Sequence, residues 1–134
     1  MASLIALNSQ LTTNDSLTAS VTLANPVSAQ VQSLHDIIES KAEDAGVDSK
    51  LALKVAFCES TLRQFDKDGK VLRGLHNSDD VGLFQINEHF HLAKSQELGY
   101  DIYTTEGNID YAMWLIKNEG IYHWKWSQPC WSKA

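Results

Sequence analysis

The apolar positions along the chain are sparse at its start and become periodic from about residue 26. Val31, Leu34, Ile38 and Ala42 recur at helical spacing, with Asp36, Glu39, Lys41 and Glu43 mostly on other faces. Pro26 suits the first turn of a helix, where its missing N–H is not needed, so order is expected to begin there. Ala45-Gly46 supplies a stop. Asp48 or Ser49 is a good cap for a second helix reaching about Leu62. Leu51, Val55, Cys58 and Leu62 form one stripe of that helix. Ala52, Leu53, Ala56 and Phe57 widen it, which predicts a largely buried helix.

The pattern then changes. Asp68-Gly69, flanked by Phe65 and Val71-Leu72, predicts a hairpin within residues 63–74. Gly74–Val81 reads as a polar loop and Gly82–Asn87 as a short apolar element. Helices follow from about His89 to Leu98 and from Thr105 to Asn118, the latter with a Thr cap and a stop at Gly120. The segment from Tyr122 to Trp131 is dense in Trp, and no internal repeat is present. Together these elements predict a mainly α, α+β fold: a helical bundle with a small β-hairpin lobe.

Composition sharpens this picture by its asymmetry. All twelve aromatic residues lie between Phe57 and Trp131, and all seven Gly lie at Gly46 or later. The first 34 residues carry one charged side chain, Asp15. Such a segment has little large apolar surface to offset its ordering entropy. Residues 1–25 are therefore expected to be a flexible extension, with one domain over residues 26–134. Met1–Leu7 is too short, and lacks the positive start, for a secretory signal. No run approaches the roughly 18 apolar residues of a membrane span. The formal charge of -6 argues against a nucleic-acid-binding module, which needs a basic footprint. Two Cys do not make a disulfide scaffold.

Several residues stand out chemically. Glu59 sits near the end of an apolar helix, with Val55, Ala56 and Leu62 as helical neighbours. Apolar surroundings favour the protonated carboxyl, which is what a general acid at neutral pH needs. The competing reading is an ordinary surface ion pair with Arg63, four residues on. In Gly82-Leu83-Phe84-Gln85-Ile86-Asn87, Gln85 and Asn87 alternate with Phe84 and Ile86. Amides on one side of a short element suit hydroxyl- and acetamide-rich ligands, although loop amides are commonly just solvated. Trp114 is expected in the core, and at least one of Trp124, Trp126 and Trp131 on the surface. Asp66-Lys67-Asp68-Gly69 resembles the start of a calcium loop but lacks the acidic residue at the twelfth position, so a plain turn is the better reading. The five His lack ligand spacing: His89 and His91 are two apart, which puts them on different helix faces. Neither a metal nor any other cofactor is called for.

The order of these pieces resembles the lysozyme-like superfamily, above all the lytic transglycosylase branch related to goose-type lysozymes. Ala56-Phe57-Cys58-Glu59-Ser60 is similar to the Glu-Ser motif that ends that family's catalytic helix. Gly82-Leu83-Phe84-Gln85-Ile86-Asn87 resembles its Gly-Leu-Met-Gln-Ile motif, with Phe84 in place of Met. Asn108-Ile109-Asp110-Tyr111-Ala112 resembles its Asn-Ile helix start. The resemblance spans about residues 35–131.

The resemblance implies a helical bundle around a catalytic helix. It implies cleavage of the MurNAc-GlcNAc β-1,4 bond of peptidoglycan by a monomeric domain in the periplasm or outside the cell. Glu59 would be the catalytic acid/base and Ser60 the adjacent supporting serine. Gln85 and Asn87 would contact sugar, and Asn108 and Tyr111 would frame the other wall. The residue 63–74 hairpin would close one side. The family's usual Tyr is missing from Ile116–Gly120, which leaves Tyr111 and Tyr122 to be considered for its role. A lytic transglycosylase would form a 1,6-anhydro end through Glu59 alone. A hydrolysing muramidase would need a second carboxylate, for which Asp79 and Asp80 are available, at about 6.5–9.5 Å. A module that binds peptidoglycan without cutting it is the non-enzymatic alternative. An exported setting favours a Cys58–Cys130 disulfide over free thiols, closing a long loop and contributing about 4 kcal/mol. The acidic charge then fits an enzyme working in its own envelope or delivered by a partner.

Overall fold

The computed structural model describes residues 31–133. The expected extension over 1–25 and the expected start of order at Pro26 lie outside the described residues. Helix α1 spans Leu34–Ala45. Ser33 caps it: its hydroxyl accepts from the Asp36 N–H, and the Asp36 carboxylate accepts from the Ser33 N–H. That capping box starts the helix three residues after Val31, so Val31 is not on its buried stripe and is 97% exposed. Gly46, in the left-handed region, closes the helix.

Helix α2 spans Ser49–Ser60 under an Asp48 cap that accepts from Lys50 N and Leu51 N. It stops two residues short of the expected Leu62, because Thr61 and Leu62 both adopt positive φ. The Ser60 hydroxyl helps fasten this end, donating to Ala56 O and accepting from Arg63 N. Ala52, Val55 and Ala56 are buried, but Phe57 faces outward and is 57% exposed.

The two-stranded antiparallel sheet is not in residues 63–74. It joins β1 (Asp80–Val81) to β2 (Ile86–Asn87), with Asp80 opposite Asn87 and Val81 opposite Ile86. The expected hairpin is reduced to a single bridge, Phe65 to Val71, around a turn held by Asp66. The Asp66 carboxylate accepts from Asp68 N and Lys70 N, which is the plain-turn reading. Backbone bonds from Asp66 N to Lys70 O and from Leu72 N to Gln64 O flank that bridge, and Phe65 stays largely at the surface. A second bridge, Arg73 to Val81, ties this segment to the sheet.

Helix α3 spans Glu88–Glu97 under an Asn87 cap, and α4 spans Thr105–Glu119 under a Thr104 cap. Gly120 ends α4 as expected. A 3-10 segment, Ile121–Ser127, leads into the short α5, Gln128–Trp131. The fold is thus α-dominant α+β. Helix α4 runs through its centre, burying Gly107, Asn108, Ile109, Tyr111, Ala112, Met113 and Leu115. Ile38 and Ala42 of α1, the buried face of α2, Leu83, Phe84, Ile102 and Trp124 complete the core. Cys58 and Cys130 form a disulfide across 72 residues, tying α2 to α5. No described helix is long and apolar enough to cross a membrane.

Candidate active site

The turn after β1 is the keystone of the site. Gln64 and Asn108, both buried, grip it from two sides. Gln64 Oε1 accepts from Leu83 N at 2.8 Å, and Asn108 Oδ1 accepts from Phe84 N at 2.9 Å. Asn108 Nδ2 donates to the carbonyls of Val81 and Ile102. Trp124 Nε1 donates to Phe84 O from the 3-10 segment. Gly82 is required here: at φ 72° a Cβ would lie 2.5 Å from Gln64 Oε1 and 2.6 Å from Asn108 Nδ2. So clamped, Gln85 is held at φ 48°, a left-handed conformation uncommon for a residue with a side chain.

This turn faces the end of α2 across an open cleft. Two adjoining hollows, the smaller about 360 Å³, meet at Glu59, Asn77, Asp80, Gln85 and Trp126. Glu59 is half-buried. Its Oε1 accepts from Ser127 Oγ at 2.5 Å. Burial pushes the Glu59 carboxyl above the usual carboxylate range; the Ser127 hydrogen bond pulls it down, and the charge of Asp80 adds to the rise. The ion pair with Arg63 does not form. Arg63 lies beyond the helix end, and its Nε donates to Ser60 O and Thr61 Oγ1.

One arm of the cleft is walled by residues 72–77, held by a clamp. Arg73 Nη1 donates to Glu88 Oε1 and Tyr103 Oη to Glu88 Oε2, both at 2.5 Å. These two partners hold the Glu88 carboxyl below the usual carboxylate range, the tyrosine bond foremost. In the other arm lie His91 and His123, with ring centroids 5.0 Å apart. Behind them, Tyr111 Oη is 2.9 Å from His91 Nδ1, and Glu119 Oε2 is 2.7 Å from His123 Nε2. Burial lowers the proton affinity of His91, with His123 acting the same way and Glu119 opposing. Burial foremost, and Glu119, push the Tyr111 phenol up to about 12.

The site residues expected from the sequence therefore separate. Glu59, Gln85, Asn87 and Asp80 converge on the cleft, with the Asn87 amide donating to Asp80 Oδ1 at 2.9 Å. Asp79 does not line it and is exposed beside β1. Asn108 is 0% exposed, with its amide fully engaged in bracing the turn, so it offers nothing to a ligand. Tyr111 is enclosed behind His91 and stacks on half-buried Trp114, so it forms backing and not a wall. Ser60 is buried as a helix-end fastening. Trp124 is core at 4% exposure, whereas Trp126 on the cleft rim is 86% exposed.

Reading the chain residue by residue missed Ser127, Gln64, Asn77, His91 and His123. Ser127 had a signal: Cys58 adjoins Glu59 and Cys130 lies three residues past Ser127, so pairing the cysteines brings the two together. The others depend on long-range packing. Among the described residues, the only close group of three metal-ligating side chains is His35, Asp36 and Glu39, on the outer surface of α1. Asp36 there is engaged with Ser33, whose hydroxyl is the main cause of its lowered pKa. No protein-family model, no curated protein and no solved structure matches this chain.

Proposed function

We propose that this domain cleaves the glycan strands of peptidoglycan at the MurNAc-GlcNAc β-1,4 bond, outside the cytoplasm, with Glu59 as the catalytic acid/base. The observation that carries this reading is Glu59 itself: a desolvated carboxyl in a cleft walled by amides and an exposed Trp. The motif resemblance and the disulfide, which suits an oxidising compartment, support it.

Protonated Glu59 donates its proton to the glycosidic oxygen as the C1–O bond breaks, and an oxocarbenium-like sugar forms. The Glu59 carboxylate then takes the proton of that sugar's own C6 hydroxyl. O6 bonds to C1, leaving a 1,6-anhydro end and regenerating Glu59. Nothing is consumed but the one bond. Ser127 holds the carboxyl in place, and Gln85 and Asn87 offer hydrogen bonds to sugar substituents. Trp126 offers its ring face to a sugar's C–H face.

A hydrolysing muramidase is the second reading, favoured by one observation: Asp80 shares the cleft and is close enough for its charge to act on Glu59. In it, Asp80 would activate a water against C1. Digestion of purified sacculi with mass analysis of the released fragments separates the two. Anhydro ends are lighter by one water than hydrolysed ends. Glu59→Gln is expected to abolish release. Full release by that variant overturns the catalytic role of Glu59, and sacculus binding with no release by the parent chain supports a non-catalytic binding module instead.

A further inference from the structure

Both arginines of the chain line the cleft, and only one of them has an anionic partner. Arg73 is engaged with Glu88 and the Ser78 carbonyl. Arg63 forms no ion pair among the described residues, and no lysine lines either hollow of the cleft.

Arg63 is nevertheless firmly held. Its backbone N–H donates to Ser60 Oγ at 3.0 Å. Its Nε donates to Ser60 O at 3.0 Å and to Thr61 Oγ1 at 3.1 Å. The terminal N–H groups of the guanidinium donate to no described residue, and Arg63 is exposed on the cleft wall.

Backbone strain accompanies that hold. Among the described non-glycine residues, only Thr61, Leu62 and Gln85 adopt positive φ. Thr61, at φ 53° and ψ 41°, is β-branched, a class ill suited to the left-handed region. Gly would close α2 there with less strain, as Gly46 closes α1. What Gly lacks is the hydroxyl, which donates to Ser60 O at 2.6 Å and accepts from Arg63 Nε. A strained residue kept for its side chain points to a use for that side chain, and here the partner is an unpaired guanidinium.

An immobilised guanidinium with open terminal N–H groups is a receptor for an anion, and its planar fork matches the two oxygens of a carboxylate. Glu59 and Asp80 make the centre of the cleft repel anions, so the anion belongs in the arm walled by Thr61, Arg63 and residues 72–77. One arginine with no lysine beside it suits the single charge of a carboxylate better than a phosphate dianion.

We propose that Arg63, positioned by Thr61, binds a carboxylate carried by the glycan strand, and so selects acid-bearing strands over strands of N-acetylglucosamine alone. This deepens the glycan reading and rests on it. The acid is either the free lactyl carboxyl of a strand without stems or a carboxyl of a peptide stem.

Binding is to be measured by calorimetry on the intact chain carrying Glu59→Gln, so that no probe is consumed. The probes are the N-acetylglucosamine tetramer, the alternating GlcNAc-MurNAc tetramer with free lactyl carboxyls, and that tetramer bearing tetrapeptide stems. Adding Arg63→Gln should weaken at least one acidic probe about tenfold and leave the neutral tetramer unchanged. A drop for the free-acid tetramer assigns the lactyl carboxyl, and a drop for the stem-bearing form alone assigns the stem. Added salt should weaken the affected probe on the arginine-bearing chain and not on the Arg63→Gln chain. Thr61→Gly should unfold at no lower urea concentration yet lose affinity for the same probe. With Glu59 restored, Arg63→Gln should raise the apparent KM on sacculi and keep kcat.

Equal losses on neutral and acidic probes, no loss on any, or a fall in kcat at constant KM overturns the carboxylate site while leaving the glycan reading intact. Undiminished affinity of Thr61→Gly for the acidic probes overturns the positioning role of Thr61. If no probe binds and the parent chain releases nothing from sacculi, the glycan reading fails and the site fails with it.

Discussion

Ser127 Oγ lies 2.5 Å from Glu59 Oε1 and 3.1 Å from Trp124 O, so one hydroxyl is matched to both protonation states of the carboxyl. With Glu59 ionised, the Ser127 hydrogen points at the carboxylate. With Glu59 protonated, that hydrogen turns to the Trp124 carbonyl, and Ser127 Oγ accepts from the carboxylic acid. The carboxyl can give up and recover a proton without moving, which an acid that later serves as base requires.

Ser127→Ala removes the one hydrogen bond among the described residues that favours the ionised form of Glu59. The Glu59 pKa should rise further. Under the proposed mechanism cleavage needs the protonated acid, so activity should fall as pH rises through that pKa. The basic limb of the pH–rate profile should therefore move to higher pH in the variant. Loss of positioning should lower the maximum rate about tenfold. A pH profile of sacculus clearance checks both, and an unmoved basic limb contradicts the role given to Ser127.

Asp80→Asn should move the same limb the other way, because removing the nearby negative charge eases ionisation of Glu59. Under the transglycosylase reading the variant still releases anhydro ends. If cleavage instead disappears at every pH while the fold stays intact, Asp80 is the second carboxylate of a hydrolase.

Glu59→Gln should make the fold more stable at neutral pH. The folded chain holds the Glu59 proton more tightly than the unfolded chain, whose pKa is near 4.5. The stability linked to that proton is fully present below 4.5 and is lost as pH rises through the higher folded pKa. Gln carries no charge to desolvate, so the variant should lead by about 0.5–2 kcal/mol at neutral pH. The lead should close at low pH. Thermal unfolding across the pH range measures it.

Reducing the Cys58–Cys130 bond should cost about 4 kcal/mol in the chain-entropy model, since it closes a loop of 72 residues. It should also loosen Ser127 and Trp126 from α2, so cleavage should fall under reducing conditions still mild enough to keep the chain folded. Denaturant midpoints and sacculus clearance, with and without reductant, check the two effects separately.

Asn108→Ala strands Phe84 N and leaves the carbonyls of Val81 and Ile102 short of a donor. A loss of about 2–4 kcal/mol is expected. Trp126→Ala, at an exposed rim position, should leave urea unfolding nearly unchanged yet weaken glycan binding about tenfold. If Asn108→Ala weakens binding at full stability, its bracing role is wrong.

What the chain determined by itself was local. Helix periodicity, the Asp48 and Thr104 caps and the stops at Gly46 and Gly120 depend on neighbours a few residues away, and the α-dominant fold was legible from them. So was an apolar setting for Glu59. Where the local rules failed, tertiary contact had outweighed them. Asp68-Gly69 made its turn but only one bridge, while residues 80–87 paired around a turn that Gln64 and Asn108 hold from outside. Asn108 and Tyr111 read as cleft residues because polarity in a sequence does not say whether a group meets solvent or a buried partner. Ser127 reaches Glu59, and His91 reaches His123, only once α4, the 3-10 segment and the disulfide bring distant chain together. Hydrogen-bond partners 68 residues apart leave no periodic trace, so the contact of Ser127 with Glu59 was foreshadowed only by the cysteine pair, and that of His91 with His123 was decided by packing.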